Sequence, residues 1–318
     1  MNNSQPTPPL SDDQLSQFHE QGYLVIQDLF ETGDLQPVID EIDDEVNARA
    51  NQLAAQGLLS STFKEYGFER QLAKISQETD KVALSIWNGT LAGPAFFHLI
   101  THPKLLDVAE QLCGEELIAS SVYRLRPKIP DYGYGAVPWH QDSGYFEPYC
   151  DRGLVLTVWI PLVDATPERG CLWVLPYQGD ILRHRKAEGV AYLEIPDSEM
   201  QASEQVCVPV NKGGVLLLTN KTPHASFQNS TDVVRWSMDL RYQSASLPTN
   251  APITRLPEEI SNASDEEIPP ACYPPEADFL VRSRRRPTEV LRSAQAFHDL
   301  RMNHVARPVT NRWDAPWS

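Results

Sequence analysis

The run Arg235-Trp236-Ser237-Met238-Asp239-Leu240-Arg241-Tyr242 alternates polar and apolar side chains without a break. Successive side chains on a β-strand point to opposite faces, so this period of two predicts a strand with all four polar groups on one side. The chain around it has a matching texture. After Gly114, short β-branched and aromatic runs are separated by Gly, Pro, Asp and Asn, and strands are expected at 117–125, 139–145, 154–162, 171–175, 206–210 and 215–219. Many short strands spaced by turn residues mark an antiparallel sandwich or barrel.

Upstream, the pattern is helical. Ser11 and Gln14 have capping-box spacing, Leu15 and Phe18 follow at helical spacing, and Gly22 ends the segment. Residues 23–26 read as a short strand. Leu35, Val38, Ile39, Ile42 and Val46 then form one apolar stripe of a second helix from about Asp34, and 58–112 is mostly helical. Beyond Ser246 the chain is rich in Pro and acidic residues as far as Asp278, and 288–302 has helical character. The expected organisation is one domain over 1–318: a mostly helical region at 1–113, a β core at 114–245, and a C-terminal extension at 246–318 packing on the core. No fixed-period repeat is visible.

With 318 residues, 41% of them hydrophobic, the chain can build a substantial core. It has neither a basic stretch followed by an apolar leader nor an apolar run long enough to span a bilayer, so no membrane partner and a cytoplasmic location are expected. A formal charge of −16 opposes contact with nucleic acid. The five cysteines (113, 150, 171, 207 and 272) are scattered, without a Cys-x-x-Cys pair, and read as buried small side chains rather than a disulfide or zinc framework. The basic cluster Arg282, Arg284, Arg285 and Arg286 reads as a solvated or internally paired segment.

The chemistry is concentrated in Trp139-His140-Gln141-Asp142. In extended backbone His140 and Asp142 share a side while Gln141 faces away, so an imidazole and a carboxylate could meet at one point. Alone this is weak, since His-x-Asp is expected by chance on the order of 0.5 times in such a chain. A second block strengthens it: Gly213-Gly214 leads an apolar strand, and His224 follows in what reads as a polar turn. Two histidines and one carboxylate leave three adjacent metal positions open, as oxygen-activating iron(II) requires. Arg235, on the polar side of its strand, needs an anion if it is buried. A dicarboxylate cosubstrate would supply one, with Ser237 within reach and its other end chelating the metal.

These blocks, with Thr157-Val158-Trp159-Ile160-Pro161-Leu162 and Gly170-Cys171-Leu172-Trp173-Val174-Leu175-Pro176, resemble the phytanoyl-CoA dioxygenase family of iron(II) and 2-oxoglutarate dependent oxygenases, from about Ser11 to Tyr242. The resemblance implies a mainly β fold with flanking helices, the double-stranded β-helix or jelly-roll (cupin-like) barrel. It assigns His140, Asp142 and His224 to iron and Arg235 to the distal carboxylate of 2-oxoglutarate, with Gln141, Trp159 and Ser226 as neighbours of the cosubstrate. The implied activity uses O2, releases succinate and carbon dioxide, and hydroxylates a C–H bond of a small molecule. Asp142 stands where halogenating relatives carry a small residue, which favours hydroxylation or a related oxidation. Pro176-Tyr177-Gln178-Gly179 departs from the family's Pro-Gly-Ser-His, so substrate contacts there are expected to differ.

Tyr132, Tyr134, Tyr145, Phe146 and Tyr149, which flank the metal segment, read either as substrate contacts or as packing of a surface loop, and Arg124, Arg126 and Lys128 on an earlier strand either pair with the chain's many acids or meet an anionic substrate or the cosubstrate. Gly133-Tyr134-Gly135 lacks the third glycine and the following helix of a dinucleotide site. Two other uses of the barrel compete: a zinc-type metal enzyme for hydrolysis or isomerisation, and a small-ligand binder without turnover. Neither calls for Arg235 with Ser237 beside the metal.

Overall fold

The alternating run forms the longest strand, β12 (Arg235–Ser244), and its two faces meet different surroundings. Trp236, Met238, Leu240 and Tyr242 enter the main hydrophobic core, whereas Arg235, Asp239 and Arg241 line a polar cleft. The computed structural model describes residues 9–87, 91–120, 123–131, 135–146, 148–189, 192–200, 204–247, 278–303 and 312–313.

β12 sits inside a seven-stranded antiparallel sheet ordered β1 (Tyr23–Ile26), β10 (Val215–Leu218), β5 (Val155–Pro161), β12, β2 (Leu117–Ser120), β13 (Asp278–Arg282), with β3 (Arg124–Lys128) also on β12. Opposite lies a four-stranded sheet, β4 (Val137–His140), β11 (His224–Ser226), β6 (Leu172–Val174) and β9 (Val206–Val208). A hairpin of β7 (Arg185–Lys186) and β8 (Leu193–Glu194) stands apart. The jelly-roll class holds, but the described strands form facing antiparallel sheets rather than the expected closed barrel.

Helices cover the outer face of the large sheet. They are α1 (Asp12–Gln21), α2 (Thr32–Ala55), α3 (Gly67–Ser76), α4 (Lys81–Trp87), α5 (Pro94–Ile100), α6 (Pro103–Cys113) and α7 (Ala294–Met302). The capping box forms as read: the Ser11 hydroxyl accepts from Gln14 N–H and Gln14 accepts from Ser11 N–H. Two hydrogen bonds pin helices to the sheet, Tyr242 Oη to the Ile100 carbonyl at 2.6 Å and Trp236 Nε1 to the Phe68 carbonyl at 3.2 Å. Both groups are buried, and leaving either donor unmade would cost about 1–3 kcal/mol.

Several expectations change. The strand expected at 117–125 is two, because β3 and β2 share one edge of β12, pairing with residues 235–239 and 242–244 respectively. The 139–145 strand stops at His140, and Asp142–Tyr145 is a 3-10 turn. His224 opens β11 instead of sitting in a turn. Asp278–Arg282 is an unforeseen edge strand in which Phe279 and Leu280 pair with Ala119 and Ile118 of β2, with a bulge at Val281. The double glycine has a physical reason: a Cβ on Gly214 would come within 2.8 Å of the Gln27 carbonyl and 2.9 Å of the Ile26 carbonyl.

The basic cluster is internally paired. Arg282 bonds Asp107 and Glu110, and Arg284 bonds Glu110 and Glu115. Cys113, Cys150, Cys171 and Cys207 are free thiols, and Cys272 lies outside the described residues. Among the described residues no helix is long and apolar enough to cross a membrane.

Candidate metal centre

His140 and His224 are placed by pairing between strands: they face each other directly across β4 and β11. Their rings lie 4.2 Å apart between centroids. Each Nδ1 meets a carbonyl two residues back, Pro138 at 2.8 Å and Thr222 at 2.9 Å. A carbonyl can only accept, so each Nδ1 carries the proton and each Nε2 lone pair is left free for a metal. Burial, then the adjacent His224, lowers the His140 pKa well below its ordinary value and keeps that ring neutral.

Asp142 completes the cluster although its strand has ended. Gln141 keeps extended backbone (φ −110, ψ 142), so the i, i+2 relation survives into the 3-10 turn. One ligand atom from each of His140, Asp142 and His224 lies within 4.8 Å of the other two, and all three residues are buried. The carboxylate is held on both oxygens: Arg241 Nη2 donates to Oδ1 at 3.1 Å and Thr157 Oγ1 donates to Oδ2 at 2.5 Å. Burial alone would raise its pKa, but the Arg241 charge and the Thr157 hydroxyl bring it below the usual carboxylate range. Arg241 and Thr157 were not singled out for this role in the sequence. Period two places Arg241 on the cleft side, yet nothing in the sequence pairs it with a residue 99 positions away.

Arg235 is fully buried beside this cluster. Its Nη1 bonds the Ser237 hydroxyl, its guanidinium lies 5.2 Å from the Trp159 ring centroid, and its Nε has no partner. Among the described residues it has no carboxylate partner, a costly arrangement for a buried cation. Ser226 and Trp159 line the same cleft of about 560 Å³. So does Lys128, whose Nζ donates to the carbonyls of Gly135, Ser226 and Phe227. Burial and the nearby Arg235 and Arg126 push its pKa down; three carbonyl acceptors favour the ammonium, the only form with three donors to give.

The model of the phytanoyl-CoA dioxygenase family matches residues 18–237. The chain belongs to that family. It is a dioxygenase by class, and the matched span includes all three clustered ligand residues and Arg235. The bovine (Bos taurus) phytanoyl-CoA dioxygenase domain-containing protein 1 is 29% identical over 259 residues, 70% of this chain and 86% of the relative. In fold the chain is similar to the apo non-heme monooxygenase ThoJ (TM-score 0.55, 18% identity, 91% of this chain and 99% of that one). It is also similar to EctD from S. alaskensis, solved with 2-oxoglutarate and 5-hydroxyectoine (TM-score 0.53, 22% identity, 78% and 80% covered).

Not every residue expected from the family resemblance meets the cleft. Gln141 turns its side chain away: Nε2 donates to the Lys221 carbonyl at 2.6 Å and Oε1 accepts from Leu182 N–H at 2.7 Å. It holds the 180–182 segment rather than a cosubstrate, which corrects its expected role. His184 supports the same region by accepting from Gln141 N–H at 3.0 Å. Tyr145 packs edge-on against His140, its hydroxyl accepting from Leu193 N–H at 2.8 Å. Phe146 lies under Arg241, 5.6 Å from its guanidinium. Arg126 pairs with Asp239 at 2.5 Å in the cleft wall, and Arg124 lines an adjoining cavity. Tyr132 and Tyr134, and the side chain of Tyr149, lie outside the described residues. Trp87, from α4, lines the cleft and was not anticipated, since nothing in its helix marks which long-range neighbour it meets.

Proposed function

We propose that this chain is an iron(II)- and 2-oxoglutarate-dependent dioxygenase that hydroxylates an unactivated C–H bond of a small molecule, releasing succinate and carbon dioxide. The observation that carries this reading is Arg235, a buried guanidinium with an unpartnered Nε beside a His–Asp–His cluster. A dicarboxylate cosubstrate fits both features at once: one end meets the cation, and the other reaches the metal. A zinc hydrolase, an isomerase or a passive binding barrel has no use for that second buried charge.

When bound, iron(II) and 2-oxoglutarate supply the oxidising chemistry, activation of O2 coupled to decarboxylation of the cosubstrate. His140 and His224 would hold the metal through Nε2, with Asp142 supplying a carboxylate oxygen. Arg241 and Thr157 orient that carboxylate and keep it ionised. Arg235 would donate to the distal carboxylate, with Ser237 donating alongside and Trp159 stacked on the guanidinium. Leu172, Leu218 and Ala225 wall the same cleft with apolar surface, which limits water near the reacting groups.

A succinate-release screen tests the reading: small molecules are offered with iron(II), 2-oxoglutarate and O2, and hydroxylated product is sought. His224→Ala is expected to abolish succinate formation. Coupled turnover retained by that variant would remove His224 from the ligand set.

A further inference from the structure

Two residues beyond the matched span 18–237, Arg312 and Trp313, reach the segment that carries Asp142. Asp142 opens a four-residue 3-10 turn, Asp142–Tyr145, and so short a turn cannot pair its own last carbonyls. The start of the turn is held by Asn220: its carbonyl accepts from Ser143 N–H at 2.9 Å, and its Nδ2 donates to Ser143 Oγ at 2.9 Å. The carbonyl side is held from much later in the chain. Arg312 Nη1 donates to the Ser143 carbonyl at 3.0 Å and to the Phe146 carbonyl at 3.3 Å, and Trp313 Nε1 donates to the Gly144 carbonyl at 2.9 Å.

These two side chains are seated in the structure rather than laid across it. The Arg312 side chain is 9% exposed, and its Nη2 pairs with Asp151 of the following 3-10 turn, Pro148–Arg152, so one guanidinium joins two consecutive turns. The Trp313 ring lies 5.0 Å from that of His184, and the Arg312 guanidinium lies 5.2 Å from the Trp313 ring centroid. His184 in turn accepts from Gln141 N–H, and a Cβ on Gly144 would come within 2.8 Å of its ring. What the clamp holds is the support of the metal cluster. Asp142 is one of its three residues, Tyr145 packs edge-on against His140, and Phe146 lies under Arg241, which bonds the Asp142 carboxylate. Arg241 and Thr157 fix the carboxylate oxygens, whereas Arg312 and Trp313 fix the backbone that follows it.

We propose that Arg312 and Trp313 are positioning residues: docked on the Asp142–Tyr145 turn, they hold the backbone that presents Asp142 to the metal, so metal affinity depends on them as well as on the three ligands. Arginine suits this place because its planar fork offers several donors in fixed geometry, enough for two carbonyls and a carboxylate at once. Without the clamp the Gly144 and Phe146 carbonyls turn to water, and Asp142 is no longer preorganised. The inference rests on the oxygenase reading only for the identity of the metal, and the docking itself stands apart from that reading.

The test uses the full chain, first metal-free and then with cobalt(II) alone. Hydrogen exchange read by mass spectrometry is expected to be about tenfold faster across residues 141–146 in Arg312→Ala, while residues 236–242 of the core strand exchange as in wild type. Cobalt(II) is expected to bind that variant about tenfold more weakly, with altered visible absorption bands. Trp313→Phe keeps the ring and loses one donor, so it should show the same two effects at about threefold, and it decides the question should Arg312→Ala not fold. Millimolar guanidinium chloride should restore cobalt(II) binding to Arg312→Ala where sodium chloride does not, a rescue that a general loss of stability would not give. Unchanged exchange at 141–146, or wild-type cobalt(II) affinity in both variants, overturns the proposal. So does exchange that rises equally at 236–242, which would mark general loosening. If wild type binds no cobalt(II), the metal centre fails separately, and exchange at 141–146 still decides whether Arg312 holds the turn.

Discussion

Replacing Arg241 by Met tests how the metal carboxylate is held before any metal arrives. The Arg241 and Asp142 side chains are 17% and 6% exposed, with Nη2 and Oδ1 3.1 Å apart. At that separation, with an effective dielectric constant near 20, the attraction is about 5 kcal/mol before desolvation. Removing one partner of such a buried pair costs about 3–5 kcal/mol, because the other charge is stranded. Thr157 still donates to Asp142 in the variant, so about 3 kcal/mol is expected for the metal-free protein. Zinc(II) or nickel(II) at saturation supplies the missing positive charge and should recover at least half of the loss. Adding Asp142→Asn to Arg241→Met removes the stranded charge, so the double variant should be less destabilised than the two single losses combined, by about 2 kcal/mol. Urea unfolding followed by far-UV circular dichroism, with chelator or with metal, measures each value. A single-variant cost below about 0.5 kcal/mol, or additive losses in the double variant, would refute this account of the carboxylate.

Two further substitutions probe the frame around the site. Gly22 caps α1 at φ +77, and a Cβ there would meet Thr222 Oγ1 at 2.6 Å and the Tyr177 carbonyl at 2.7 Å. Gly22→Ala should therefore cost roughly 1–3 kcal/mol and also weaken metal binding, because the Thr222 carbonyl orients His224; unchanged unfolding midpoint and metal affinity would count against that coupling. Burial holds the His184 pKa down at about 4 from an ordinary 6.5, although its bond to the Leu182 carbonyl acts the other way. Between those values the unfolded chain binds a proton that the folded chain refuses, so stability rises with pH across the window and is lost as pH falls through it, by roughly 1 kcal/mol per pH unit. His184→Gln should flatten that slope between pH 6.5 and 4; parallel slopes in wild type and variant would remove His184 as the cause.

What the sequence disclosed follows from local physics. Period two at 235–242 sorted Arg235 and Arg241 from Trp236 and Tyr242 because strand geometry allows only that division, and the large sheet keeps it. His140 and Asp142 met as read, though through an extended Gln141 and a 3-10 turn rather than one continuous strand. β11 escaped notice because three residues, His224-Ala225-Ser226, are too few to carry a period, and pairing on both sides with β4 and β6 makes them a strand. β13 was hidden by the acidic and proline-rich segment before it, and among the described residues β2 is its only sheet neighbour. Apart from the metal triad and Arg235, contacts across long separations were not legible in the sequence. The Arg241–Asp142 pair depends on how the two sheets face each other, and the Trp87 wall shared by two cavities depends on how α4 packs on the large sheet.

The most direct test of the central claim is anaerobic titration of the purified protein with iron(II) and 2-oxoglutarate, following the weak visible charge-transfer band of the chelate. Arg235, buried with its Nε free, should set the affinity for the cosubstrate. The band is expected in wild type at low cosubstrate concentration. Arg235→Ala should require on the order of a hundredfold more 2-oxoglutarate, as loss of a bidentate charge-assisted contact of about 3 kcal/mol implies. Absence of the band in wild type at saturating iron(II) and 2-oxoglutarate, or equal requirements in the two proteins, would contradict the account.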